Sequence, residues 1–243
     1  MDDGAKTVED SLAMLQIAVE SGTTDLVASP HANSAYVYDP QVIQQQIRAL
    51  NQAMQGKLRL YQGCDFHLSF DNIEDAMKNS RKYTINGHRY LLVEFSDLLI
   101  FHNTAQIFDR LQSARMVPII THPERNSLLR QRIDNIAEWV ANGALVQVTA
   151  GSLLGNFGKK ASEFSRQLLD RELVHFIASD AHDVKFRTPS MKEAYTWLAQ
   201  HCGEAYAKSL CVDNPRATLT GGDVDLPYRN NPAGERKWYQ FWR

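Results

Sequence analysis

Cysteine is scarce in this chain, with only Cys64, Cys202 and Cys211 among 243 residues. An odd, widely spaced set builds neither a disulfide framework nor a zinc ribbon, and it points to a reducing compartment. Long apolar runs are missing too: none approaches the ~20 residues needed to span a bilayer. The opening Met1-Asp-Asp-Gly-Ala-Lys6 is acidic and lacks the basic-then-apolar order of a signal peptide. A net charge of −2 removes the electrostatic case for nucleic acid or an anionic membrane as partner. Two phosphate chemistries lack their devices. Cys211 to Arg216 is one residue short of a Cys-x5-Arg loop, and Cys64 and Cys202 have no arginine at suitable spacing. Gly151 to Gly155 is a loop signal and not a phosphate-binding P-loop. The expectation is a soluble, cytoplasmic protein without thiol catalysis.

What is present is ordinary for a globular domain, with 44% hydrophobic and 22% charged residues over a length that one α/β barrel commonly occupies. Strand-like runs start near Leu26, Leu58, Tyr90, Val117, Leu145 and Val174. Helical patterning fills most of the gaps. Thr7 caps an apolar stripe of Leu12, Leu15, Ala18 and Val19 that Gly22 ends, and Asp39-Pro40 opens a second helix with Val42, Ile43, Ile47 and Leu50 buried. A short helix is expected from Asp71, and others over 104–116, 133–142, 161–169 and most of 190–210. Asn86-Gly87 is a hairpin signal. Strands and helices alternating at this interval are what right-handed βαβ units produce. Residues 1–222 read as one domain and 223–243 as a tail, whose end, Lys237-Trp-Tyr-Gln-Phe-Trp-Arg243, is unusually aromatic.

The strongest chemical signal is Asp180-Ala-His182, where the apolar run Phe176-Ile-Ala stops at a carboxylate and an imidazole. Ligands gather at the carboxyl ends of strands in βα proteins. Other runs end alike, at His31, Asp65, Glu94 and His122, and Asp3 lies in the loop before the first helix. One strand-end histidine is ordinarily structural. Six such groups at successive strand ends are not, because unpaired buried carboxylates are costly and shared cations relieve that cost. Oxygen and imidazole donors without sulfur suit manganese, iron, zinc or magnesium, in two or three sites that could serve phosphate-ester hydrolysis. Arg125 and Arg187 follow the donors closely and suit forked contacts with a phosphoryl group. Glu124 reads as a further acid or, in preference, a salt-bridge partner, and His67 as a group standing behind Asp65.

Asp2-Asp3-Gly4, Ser29-Pro30-His31, Leu92-Val-Glu94, Thr121-His-Pro-Glu-Arg125 and Ser179-Asp-Ala-His182, in this order and spacing, resemble the bacterial capsule-type tyrosine-protein phosphatases of the PHP superfamily. The resemblance covers residues 2 to about 222. It implies a distorted seven-stranded, TIM-like βα barrel with a metal cluster, manganese foremost, at one end. It also implies dephosphorylation of a phosphotyrosine protein, a bacterial kinase governing exopolysaccharide synthesis, by water that the cations activate. Carried over, Asp3, His31 and His182 would serve one metal, Glu94 and His122 a second and Asp180 a third, with Asp65 bridging and Arg125 and Arg187 gripping phosphate.

The chain departs from that pattern twice. The family's opening Asp-x-His-x-His strand is absent, so the first barrel strand and two imidazoles are missing, and the metal shared by Asp180 is expected to be weak. Met1 is therefore expected not to be the native start. Asp65 also stands where the family generally has a glutamate. Three rivals remain: a hydrolase of a small ester such as histidinol phosphate, an inactive module that docks a kinase or self-associates, and a metal-dependent amidohydrolase.

Overall fold

A computed structural model describes residues 2–225. Eight strands form: β1 Asp25–Ala28, β2 His31–Ala32, β3 Arg59–Gln62, β4 Asp65–His67, β5 Tyr90–Glu94, β6 Val117–Thr121, β7 Leu145–Thr149 and β8 Phe176–Ala178. All pairings are parallel, with β1 beside β3 in a two-stranded sheet and β2-β4-β5-β6-β7-β8 in a six-stranded one. Parallel pairing demands crossovers, and helices supply most of them.

The helices begin where local chemistry satisfies their free amides. Thr7 caps Val8–Glu20 by accepting from the Asp10 N–H, and Asp39 caps Pro40–Met54 by accepting from Gln41 and Val42. Ser69, rather than Asp71, caps Phe70–Lys78. The helical stretch expected up to about Leu210 is Lys192–Cys202 and, after a break at Gly203, Glu204–Lys208, which runs on through a π-helical turn at Ser209–Asp213 into Asn214–Thr220.

Pleat alternation sorts each strand into two faces. Leu91, Val93, Ile120, Val146 and Val148 pack with helical Phe108, Leu111, Ile136 and Trp139 in the main core. The opposite face carries Tyr90, Leu92, Ile119 and Phe176, packed with Ile85. On that second face the next positions toward the carboxyl ends are Glu94 and Thr121, and in register Asp65 lies opposite Leu92 and His67 opposite Glu94. The inner face is apolar at its base and ionisable at its mouth.

Two expectations need correction. Asn86-Gly87 makes no hairpin: Ile85–Gly87 is a tight turn with Asn86 at φ 52°, between the helix Ser80–Tyr83 and β5, and the flanking strands β4 and β5 run parallel. Two sequence runs are each split in two, because backbone kinks at Ser29-Pro30 and Gly63-Cys64 carry the chain from the small sheet to the large one. No described strand joins β8 to β1 or β2, so the sheets do not close into a barrel; a cavity of about 1130 Å³ lies between them, lined by Val27, Leu60, Leu92, Ile119, Phe176 and Ala178 among others. Among the described residues no helix is long and apolar enough to cross a membrane. Residues 223–225 dock on the body, where Arg89 pairs with Asp223 at 2.5 Å and Asn214 donates to the Asp225 carbonyl. The remainder of the expected tail, including its aromatic end, lies outside the described residues.

Candidate metal centre

Strand ends bring most of the sequence-derived residues to one mouth. His31 opens β2, Asp65 opens β4, Glu94 closes β5, and His122 follows β6. Asp3 precedes the first helix and reaches the same place: its Oδ1 stands 3.4 Å from His31 Nε2 and 3.3 Å from His182 Nε2. Asp3, His31 and His182 thus offer one triad of donor atoms, and His31, Asp65 and Glu94 a second. His31 belongs to both. Its Nδ1 lies 3.5 Å from Glu94 Oε2 and 3.7 Å from Asp65 Oδ2, yet it is buried without a hydrogen bond. Such an orphaned, inward-facing donor atom fits a cation ligand better than a structural histidine. His122 joins the second group, with Nε2 3.6 Å from Asp65 Oδ2 and 3.8 Å from Glu94 Oε1. His67, on β4, stands 3.7 Å from Glu94 Oε2.

The charges are strongly coupled. The Glu94 carboxylate, with Asp65 and Asp3, lifts the His31 imidazole to about 9 against the opposing effect of burial. Burial pushes Glu94 up, but contacts from His31 and His67 prevail and hold it well below the usual carboxylate range. Burial dominates at Asp65 and raises it, with His122 opposing. At His122 burial works downward and the Asp65 carboxylate outweighs it, leaving the ring raised. Carboxylates that raise their neighbouring imidazoles in this way make a site short of positive charge.

Asp180 is placed differently. Its Oδ2 accepts from Arg125 Nη1 and, at 2.6 Å, from Arg187 Nη2, so its carboxylate bridges the two guanidiniums and joins neither triad. The loop carrying Arg187 is held by Asp183, whose Oδ1 accepts from the Lys185 and Phe186 amides at 2.6 Å. Both guanidiniums also lie over one ring, Phe157, at 4.5 Å for Arg125 and 5.9 Å for Arg187. Phe157 carried no signal in the sequence, since an aromatic in a loop is not distinctive. His122 and Asp180 hold φ of 35° and 50°, unusual for non-glycine residues and the kind of backbone strain that collects at functional sites. Among the described residues Glu124 has no salt-bridge partner. It is fully buried, Oε1 accepts from the Thr149 amide at 3.1 Å, and burial raises its carboxyl. The cysteines are remote in chemistry: burial pushes Cys64 well up and Cys211 to about 12.

A parallel α/β protein with oxygen and imidazole donors at its strand ends, and two arginines beside them, is built to hold divalent cations next to an anion. The family described as "Capsular polysaccharide synthesis, CpsB/CapC" matches residues 1–220, and this chain belongs to that family. CapC of Staphylococcus aureus is 34% identical over 98% of this chain and 94% of its own. The tyrosine-protein phosphatase YwqE of Bacillus subtilis is 33% identical over 100% and 96%, and the tyrosine-protein phosphatase CpsB of Streptococcus pneumoniae 28% over 90% and 93%. A solved chain from the work on B. subtilis YwqE and S. pneumoniae CpsB, described as unique metal-dependent tyrosine phosphatases, superposes with a TM-score of 0.86 at 31% identity, covering 95% of both chains.

Proposed function

We propose that this chain is a metal-dependent protein-tyrosine phosphatase, with Asp3, His31, Asp65, Glu94, His122 and His182 as the ligand set and Asp180 turned to the arginine pair. The observation that carries the reading is the convergence of two donor triads through His31, beside an arginine pair gathered on the Asp180 carboxylate. Divalent cations held there supply Lewis-acid chemistry that polarises the phosphoryl group and acidifies water toward a pKa of about 7. Arg125 and Arg187 take the non-bridging phosphate oxygens and neutralise the charge that develops on them. Asp180 holds the guanidiniums in place, and the face of Phe157 limits their motion. Asp3, half exposed at the mouth, completes the outer triad while the buried Asp65 and the partly buried Glu94 form the floor.

Manganese is the proposed cation, with iron, zinc and magnesium as the other ions this donor set suits. The proposed substrate is a tyrosine-phosphorylated protein, a bacterial kinase tied to polysaccharide synthesis, and the proposed compartment is the cytoplasm, in keeping with a small, odd and widely spaced set of cysteines. The fold reading goes further as well: a parallel strand seated in the 1130 Å³ cavity between β1 and β8 would close a distorted seven-stranded barrel of the PHP type. That cavity also favours the second reading, a docking module with a weakened centre, and elemental analysis separates the two. An inactive module retains little tightly bound cation.

The test is an assay on a phosphotyrosine peptide alongside histidinol phosphate. Activity on the peptide is expected to vanish with EDTA, return with manganese, and survive iodoacetamide, because burial keeps the thiols of Cys64 and Cys211 protonated. Full activity in EDTA, or loss on alkylation alone, overturns the proposal.

A further inference from the structure

Arg130 is a cation without an anion. Among the described residues no carboxylate pairs with its guanidinium, whereas Arg89, Arg110, Arg125, Arg171 and Arg187 each meet one. Its side chain turns back along the chain instead. Nη1 donates to the Glu124 carbonyl at 3.0 Å and to the Arg125 carbonyl at 2.8 Å. Both acceptors lie in the turn after β6, outside any helix or strand, where no ladder supplies partners. Among the described residues no backbone amide donates to either carbonyl.

The turn that carries Arg130 is itself fixed. Asn126 is buried, and its Oδ1 accepts from the Leu128 and Leu129 amides at 2.9 and 3.0 Å. Its Nδ2 donates to the Ser96 carbonyl, just past β5, at 3.0 Å. The Arg130 amide closes the turn by donating to the Asn126 carbonyl at 3.1 Å. Arg130 thus leans on the backbone of Arg125 from an anchored base. Hydrogen bonds from a charged donor are stronger than neutral ones, and one nitrogen holding two successive carbonyls leaves the Arg125 backbone little freedom. That backbone is the origin of the side chain that meets Asp180 and lies over Phe157. A turn near the surface needs no charged brace, since water and neutral groups satisfy such carbonyls. A guanidinium committed here without a counterion points to a demand for rigidity at Arg125.

We propose that Arg130 is a positioning residue for the phosphate site: it holds the Arg125 backbone so that the guanidinium stands ready before a phosphoryl group arrives. The inference rests on the phosphatase reading above and adds to it a residue that acts only through Arg125. A loop set correctly only about a tenth of the time would weaken apparent affinity about tenfold, while bound substrate still reaches the same arrangement. The deficit therefore falls on KM and spares kcat.

The test uses the manganese-loaded chain with free phosphotyrosine and with inorganic phosphate. Arg130→Met keeps a long side chain and removes its donors. It is expected to raise KM for phosphotyrosine and Kd for phosphate about fivefold to tenfold, with kcat within about twofold and bound manganese unchanged. Arg130→Lys is expected to restore both, because the two bonds leave from one nitrogen and an ammonium has donors for two carbonyls. In an Arg125→Ala background, Arg130→Met is expected to change nothing further. Additive losses in that double variant, an unchanged KM in Arg130→Met, or failure of lysine to rescue overturn the proposal. So does loss of manganese or of the folded state in Arg130→Met, which would make the residue a brace for the whole mouth. Calorimetric titration with phosphate separates this role from the phosphatase reading. Phosphate binding that depends on Arg130 without hydrolysis of phosphotyrosine sinks the phosphatase reading and spares the positioning role. Hydrolysis with KM and phosphate affinity indifferent to Arg130 does the reverse.

Discussion

At the scale of single residues the arginine pair depends on a ring that takes no part in the chemistry. Phe157 lies under both guanidiniums, and a cation–π contact of this kind contributes about 0.5–2 kcal/mol. Phe157→Ala is expected to raise KM for the phosphorylated substrate about threefold to tenfold, with kcat and bound metal little changed and Phe157→Trp restoring KM. A purely structural role would lower metal content and Tm together. His175 supports a different prediction. It is buried beside β7, its Nδ1 accepts from the Val146 amide at 3.1 Å, and burial lowers its pKa to about 4. The unfolded imidazole takes a proton near 6.5 and the folded one does not, so this contribution to stability is present above pH 6.5 and is lost as pH falls toward 4. Between pH 7 and pH 5 the loss is about 2 kcal/mol. Urea midpoints of the unaltered chain are expected to fall over that range by more than those of His175→Asn, which keeps an acceptor but cannot titrate. Arg125 and Arg187 were legible in the sequence because each sits a few residues from a donor. Phe157 was not, because it meets them only across the turn of the chain between β7 and β8.

At the scale of elements the site depends on how two strands break. β3 and β4 belong to different sheets, and Gly63 lies at the step between them, its amide donating to the Ala28 carbonyl at 2.8 Å and its carbonyl accepting from Tyr38 Oη at 2.8 Å. A Cβ at Gly63 would stand 2.4 Å from Val27 Cγ1. Gly63→Ala is therefore expected to force β1 and β3 apart, to cost about 1–3 kcal/mol, and to weaken cation binding by displacing Asp65 two residues on. Denaturant unfolding and metal titration of the same sample check both effects. A variant with unaltered stability and affinity would show that Val27 yields freely. The paired runs ending at His31 and Asp65 read in sequence as single strands because their composition is continuous. The kinks that split them are a matter of which sheet each half can pair with. Asn86-Gly87 misled for a related reason: its left-handed backbone is real, but the partners on either side are a helix and a parallel strand.

At the scale of the whole molecule, cation binding and folding are linked. A ligand at 100 times its Kd adds about 2.7 kcal/mol to the stability of the state that binds it. For a domain of this size that is expected to raise Tm by about 5–10 °C. His31→Ala is expected to remove the greater part of the rise, because His31 serves both triads. Calorimetry with and without manganese checks this, and an unchanged Tm in the unaltered chain would count against a cation site at this mouth. The two sheets meet across the cavity between β1 and β8, so the stability gained on adding a cation reports how well Asp3 and His182, from opposite sides of that gap, are brought to His31.

Local order was readable from residues alone. Alternating apolar patterns, caps at Thr7 and Asp39, and polar groups at strand ends follow from hydrogen-bonding and burial rules that act over a few residues. Together they implied a parallel α/β protein with ionisable side chains at one end. Which of those side chains meet was decided only by the tertiary structure. Asp3 closes on His31 and His182, while Asp180 turns to Arg125 and Arg187. The open edge between β8 and β1 is likewise a property of the assembled sheets. The physical reason is one of range: propensity and capping are fixed by neighbours in the chain, whereas ion pairing and sheet closure depend on distances between segments that only packing sets.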